Sequence, residues 1–293
     1  MNVTKSARQR LTFGTLLFSP VVLGIIYMAA YGAPQIYTVS NANAGIAILV
    51  GILFVPKARD LQLPAISPIV VSAVILALFA ATFAGPGVGG VHRWIGLGPI
   101  NLHAGMLLLP TLFVILPGLS ARLASGVILV AAALFALQPD FASSFALCAS
   151  TLVCFILTRN RWTFLALLGT CFAVALTLLK TDELAPVSFV ETVVQDAFAR
   201  YPLISIGMIL SVAMAAAAPI VSLSSRTAAS AARSLGWSAC LIGYFLASLI
   251  GDYPTPLLGY GVSPIFGFGC ACILMLWKED ADNIASPASL DRV

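Results

Sequence analysis

Ten apolar stretches, each closed by a short polar or charged break, follow one another along the chain, at roughly 13–32, 42–56, 65–84, 101–117, 121–137, 141–158, 162–180, 202–222, 231–250 and 257–277. About twenty apolar residues are needed to cross the hydrocarbon core of a bilayer as a helix. The pattern therefore predicts an all-α, polytopic bundle of ten transmembrane helices. Two stretches are short for an upright crossing: the second, around "NAGIAILVGILFVP", and the fourth, which holds Pro110 and Pro117. No separate soluble domain is visible. The expected organisation is an N-terminal segment 1–12, a ten-span membrane domain 13–277 and a C-terminal tail 278–293.

Composition agrees with the pattern. Hydrophobic residues make up 60% of the chain and charged residues only 9%, where soluble domains carry about a quarter charged residues. Lys5, Arg8 and Arg10 precede an apolar run from Phe13 to Tyr31, longer than the apolar core of a cleavable signal peptide, which predicts a retained first helix. The net charge of +4 is spread singly or in small groups at segment ends, so it is a topology signal and excludes nucleic acid as a partner. Six cysteines sit inside apolar segments without metal-site spacing and are expected to pack as small apolar residues.

The positive-inside rule assigns the sides. Ten spans place Lys5, Arg8, Arg10, Lys57, Arg59, Arg122, Arg159, Arg161, Arg226, Arg233, Lys278 and Arg292 on the side of both termini, and only Arg93, Lys180 and Arg200 opposite. Both termini are therefore expected in the cytoplasm, in a bacterial inner membrane. Asp140, Asp182, Glu183, Glu191, Asp196 and Asp252 then fall in or beside outer loops, where a carboxylate avoids the cost of the hydrocarbon core. The longest outer segment, "KTDELAPVSFVETVVQDAFARYP", repeats Val187, Val190, Val194 and Phe198 at helical spacing, which predicts an interfacial helix or an amphipathic connector over Val187–Phe198.

Three outer segments carry polar chemistry: "RWIGLGP" from Arg93 to Pro99, "QPD" from Gln138 to Asp140, and "PLLGYGVSP" from Pro256 to Pro264. Their order and spacing, on ten spans, resemble the SEDS family of bacterial membrane proteins over almost the whole chain. That family typically carries RWI-x-LG, a QPD at the end of the fifth span and P-x-x-SYGGS at the tenth. The resemblance implies a role in cell-wall synthesis or cell division. Active members polymerise a polyprenyl-pyrophosphate-linked disaccharide-peptide into glycan and work with a class B penicillin-binding protein.

Such chemistry needs a cation for the pyrophosphate and a base for the attacking hydroxyl. Arg93, with Trp94, His103, Tyr260 and Ser263, is the expected substrate-binding set, since a guanidinium binds pyrophosphate in bidentate fashion and stays charged. Gln138, Pro139 and Asp140 form a structural motif in which Asp140 caps a helix. The family's QPSE is "HAGM" here, from His103 to Met106, and SYGGS is "GYGVS", from Gly259 to Ser263. The family's TDFIF loop, which carries a catalytic aspartate, is shortened. Beside that pattern "VSFVETVVQDAF" puts Ser188 at the aspartate position and Asp196 at the first of two following acids. The alternative bases are Glu191, Asp182 and Asp196. No metal site is evident, and magnesium or manganese is expected only of an active enzyme. Two other functions fit the residues: a catalytically silent scaffold binding lipid or a partner, and a transporter of lipid-linked precursor.

Overall fold

The computed structural model describes residues 2–55, 67–87, 91–98, 100–180, 185–223 and 227–285. Its elements run α1 (Asn2–Ala30), α2 (Gln35–Leu53), α3 (Pro68–Ala81), β1 (Trp94–Leu97), β2 (Ile100–His103), α4 (Ala104–Ile115), α5 (Ala121–Leu137), α6 (Phe141–Thr158), α7 (Arg161–Leu178), α8 (Val193–Arg200), α9 (Pro202–Ser222), α10 (Ala228–Ile250) and α11 (Val262–Ala285). Short 3-10 turns at Thr82–Ala84 and Leu116–Gly118 extend α3 and α4. Among the described residues seven helices are long and apolar enough to cross a membrane: those at Ala7–Ala30, Gln35–Leu53, Phe141–Thr158, Arg161–Leu178, Pro202–Ser222, Ala228–Ile250 and Val262–Ala281. The three shorter apolar helices, Pro68–Ala84, Ala104–Gly118 and Ala121–Leu137, complete the order read from the sequence. The protein is an all-α polytopic membrane protein.

Several helix starts are written locally. Ser120, Asp140, Asn160 and Thr227 precede α5, α6, α7 and α10, and each side-chain oxygen accepts a backbone N–H of the first turn. Several boundaries differ from the sequence expectation. The second span, expected from 42 and short for an upright crossing, begins at Gln35 and is long enough to cross. The fourth span begins at Ala104 because Ile100–His103 pairs as a strand with Trp94–Leu97. The helix expected over Val187–Phe198 covers only Val193–Arg200, since Thr192 takes a left-handed φ of 56° and residues 188–190 form a turn. The last span begins at Val262 rather than 257, because Pro256–Gly259 is buried irregular backbone.

Buried irregular backbone at membrane depth needs partners inside the protein. Asn41 of α2, itself fully buried, supplies two: its Nδ2 donates to the Gly259 carbonyl at 3.0 Å, and its Oδ1 accepts from the Gly261 N–H at 3.1 Å. Gly259 also lets the chain pass close by, because a Cβ there would stand 2.5 Å from the Val190 carbonyl oxygen. The core lies where α10 meets α6 and α4, and where α11 meets α4 and α2. Trp237, Tyr244 and Phe268 stack edge to face within it, and Tyr244 Oη shares a 2.9 Å hydrogen bond with Ser143 Oγ.

The two ends of the bundle are distinct. Gln9 donates to Glu279 and Arg10 to the Leu53 carbonyl at the end holding both termini. Arg93 donates to the Pro139 carbonyl, and Lys180 to the Ala136 carbonyl, at the opposite end.

Candidate functional site

At the end opposite the termini, the β1–β2 hairpin, the turn before α8 and the loop before α11 enclose a cavity of about 330 Å³. Arg93, Trp94, His103, Glu191, Tyr260 and Ser263 all line it. The structure thus brings the Arg93–Pro99 and Pro256–Pro264 segments together with the turn that holds Glu191, while Gln138, Pro139 and Asp140 stay outside the lining. Two backbone contacts weld the second and third wall: Glu191 forms an antiparallel bridge with Pro254, and the Thr255 N–H donates to the Val190 carbonyl at 2.9 Å. Phe189, Thr192 and Leu257 hold left-handed φ values of 64°, 56° and 64° in these walls, a conformation costly for non-glycine residues and concentrated at working sites.

Arg93 is buried, and its Nη2 donates to the Pro139 carbonyl at 2.8 Å, joining the hairpin to the QPD turn. His103 is the N-cap of α4. Its Nδ1 accepts from the Met106 N–H at 3.3 Å, so the proton belongs on Nε2, which faces Asp140 Oδ2 at 3.7 Å. Burial lowers the pKa of His103 from its usual 6.5; Asp140 opposes that shift and Arg93 adds to it. Ser263 is committed on one side, because its Oγ accepts the His103 N–H at 2.9 Å. Tyr260 stacks flat on Tyr37, with centroids 3.8 Å apart and planes 4° apart.

The QPD turn lies behind the cavity and braces it. Gln138 Nε2 donates to the Phe79 carbonyl at 2.9 Å and to Thr82 Oγ1. Asp140 is almost fully buried, and its Oδ1 accepts the Ser143 N–H at 3.0 Å as the N-cap of α6.

The candidate bases separate. Glu191 lines the cavity, with Oε2 accepting the Val187 N–H at 2.9 Å. Asp196 does not line it; its Oδ2 accepts from Thr192 Oγ1 at 3.1 Å on the exposed side of α8. Ser188 is exposed in the turn and is also outside the lining. Asp182 and Glu183 lie outside the described residues. Asn101 and Thr255 also line the cavity with no sequence signal to nominate them, as does Asp252, which the sequence placed only among the acids of the outer loops. Among the described residues no group of three or more His, Cys, Asp and Glu gathers as for a metal ion.

No protein-family model and no curated protein sequence matches the chain. Solved structures do match, and they define the class: the chain has a SEDS-like fold. It superposes on the Thermus thermophilus rod shape determining protein RodA with a TM-score of 0.64 at 18% identity, covering 92% of this chain and 96% of that one. An aspartate-to-alanine mutant of the same protein gives a TM-score of 0.65 at 18% identity, covering 92% of this chain and 97% of that one.

Proposed function

We propose that this chain is a divergent SEDS-type protein of bacterial cell-wall synthesis or cell division, whose cavity binds the diphosphate-sugar head of a polyprenyl-linked precursor resembling lipid II. The observation that carries this is the convergence of Arg93, His103, Glu191 and Tyr260 on one cavity at a single end of the bundle. A buried guanidinium is the group suited to a diphosphate, and carboxylates facing it can take a proton from a sugar hydroxyl. In this reading both termini are cytoplasmic and the cavity opens outward. The organisation is a short N-terminal segment, the ten-span domain and a C-terminal tail. A class B penicillin-binding protein is the fitting partner for a polymerase of this kind.

Glycosyl transfer, if the cavity performs it, falls to Glu191, the sequence-nominated base that lines it. The sugar hydroxyl gives its proton to that carboxylate as its oxygen attacks the anomeric carbon, and polyprenyl pyrophosphate leaves. A second reading, a binding scaffold without catalysis, is favoured by one specific feature. Glu191 Oε2 is engaged by the backbone of its own turn, and Ser188 stands where the resemblance requires an aspartate.

The test uses the full chain in nanodiscs with a radiolabelled lipid-linked disaccharide-peptide. Arg93→Lys keeps the charge but loses the planar fork, and should weaken binding by about ten-fold or more, as expected for a lost charge-assisted hydrogen bond. Wild-type binding with no glycan product, even with a class B partner and a divalent cation added, selects the scaffold. Product that Glu191→Gln abolishes selects the polymerase. Failure of the wild type to bind the precursor would overturn both.

A further inference from the structure

The β1–β2 hairpin has two chemically different faces. Residues directly opposite one another in an antiparallel pair share a face, and the register pairs Trp94 with His103, Ile95 with Leu102, Gly96 with Asn101 and Leu97 with Ile100. Trp94, Asn101 and His103 therefore share the face that lines the cavity. Ile95, Leu97, Ile100 and Leu102 share the other, which is wholly aliphatic. At its tip Leu97 is 59% exposed and Ile100, which also reaches the cavity mouth, is 52% exposed. Gly98, with a φ of 62°, makes the tight reversal between them.

The helices feeding the hairpin fix its depth. With their 3-10 extensions, Pro68–Ala84 and Ala104–Gly118 reach about 27 Å and about 24 Å, against a hydrocarbon core of about 30 Å. Tilt shortens that reach further. β2 runs directly into α4, so a chain anchored at the far boundary by that helix enters the hairpin before it has cleared the other leaflet. Val70 and Val74 of α3 and Phe83 just beyond it are likewise exposed apolar side chains. An open strand edge is unstable deep in hydrocarbon, which places the hairpin at the polar boundary of the leaflet. Its inner end is satisfied by protein, because the Ala104 N–H donates to the Arg93 carbonyl and the His103 N–H to Ser263 Oγ.

We infer that the β1–β2 hairpin lies in the leaflet, with the exposed tip residues Leu97 and Ile100 against lipid acyl chains beside the cavity mouth. This holds whether or not the cavity takes a sugar precursor.

Depth-dependent quenching tests it on the full chain in nanodiscs. A genetically encoded fluorescent amino acid replaces Leu97 in one preparation and Ile100 in another; both side chains are exposed, so the core is left intact. Phospholipids brominated on the acyl chains near the headgroup should quench both probes several-fold more strongly than aqueous iodide. Stronger quenching by iodide would overturn the inference, since the hairpin would then stand in water. Quenching by neither would also overturn it, because a second protein surface would be covering the face.

Discussion

Asn41 is the side chain on which the loop before α11 turns, and its removal is the most direct test of how that loop is held. Asn41→Leu is close in volume and keeps α2 apolar, but it leaves the Gly259 carbonyl and the Gly261 N–H buried without their partner. Each such group costs about 1–3 kcal/mol, with the lower end expected where a membrane-embedded unfolded state finds other partners. The expected result is a lower unfolding midpoint in detergent and a looser Tyr260, which lies between the two stranded groups. Leaving the midpoint unchanged would mean that Asn41 does not hold the loop. His103 makes a second residue-scale prediction. Its folded pKa lies below 6.5, so the unfolded chain binds its proton more readily, and the stabilisation is complete above about pH 6.5 and declines as pH falls toward the folded value. Thermal midpoints taken downward from pH 7.5 should fall more steeply in the wild type than in His103→Gln. Parallel curves would refute the assignment.

The elements differ in how much of them the sequence can declare. A transmembrane helix is a one-segment property, because twenty apolar residues specify it whatever they touch, and all ten apolar stretches became helices. N-caps are equally local, as Asp140 and Asn160 show. The β1–β2 hairpin, the late start of α8 and the buried loop at Pro256–Gly259 were not legible, since each depends on a distant partner: Ser263 for His103, Val190 for Thr255, Asn41 for Gly259. The site shares this division. Arg93, Tyr260 and Glu191 stood out as polar residues at the ends of apolar runs, whereas Asp252 and Asn101 could be recognised only once three loops met. Gly267 gives the element-scale prediction. A Cβ there would lie 2.1 Å from the Met106 carbonyl oxygen and 2.7 Å from that of Leu107, so Gly267→Ala must drive α11 away from α4. Overpacking of this kind costs about 1–3 kcal/mol. Because Met106 and Ser263 both line the cavity, precursor binding should weaken together with the thermal midpoint; a stable variant with intact binding would show that the α4–α11 contact is slack.

At the scale of the whole molecule, orientation is an electrostatic matter, and the fold makes it testable. The chain carries its side chains of opposite character at opposite ends: Gln9 meets Glu279 and Arg10 meets Leu53 at one, while Arg93, Lys180 and the Glu191–Pro254 bridge mark the other. The ten-span reading of the sequence puts all of its fifteen lysines and arginines but Arg93, Lys180 and Arg200 on the side of both termini. Cations close to span ends are retained on the cytoplasmic side during insertion, which predicts one orientation for the bundle. An epitope inserted after Ser188, in an exposed turn, should bind antibody on intact spheroplasts, and one fused after Val293 should bind only after lysis. The reverse labelling would put the cavity in the cytoplasm and remove the physical basis for an outward-facing lipid-linked sugar. Labelling of both tags before lysis would mean an even number of crossings between Ser188 and Val293, so that one of α9, α10 and α11 fails to span and the even count of ten crossings falls with it.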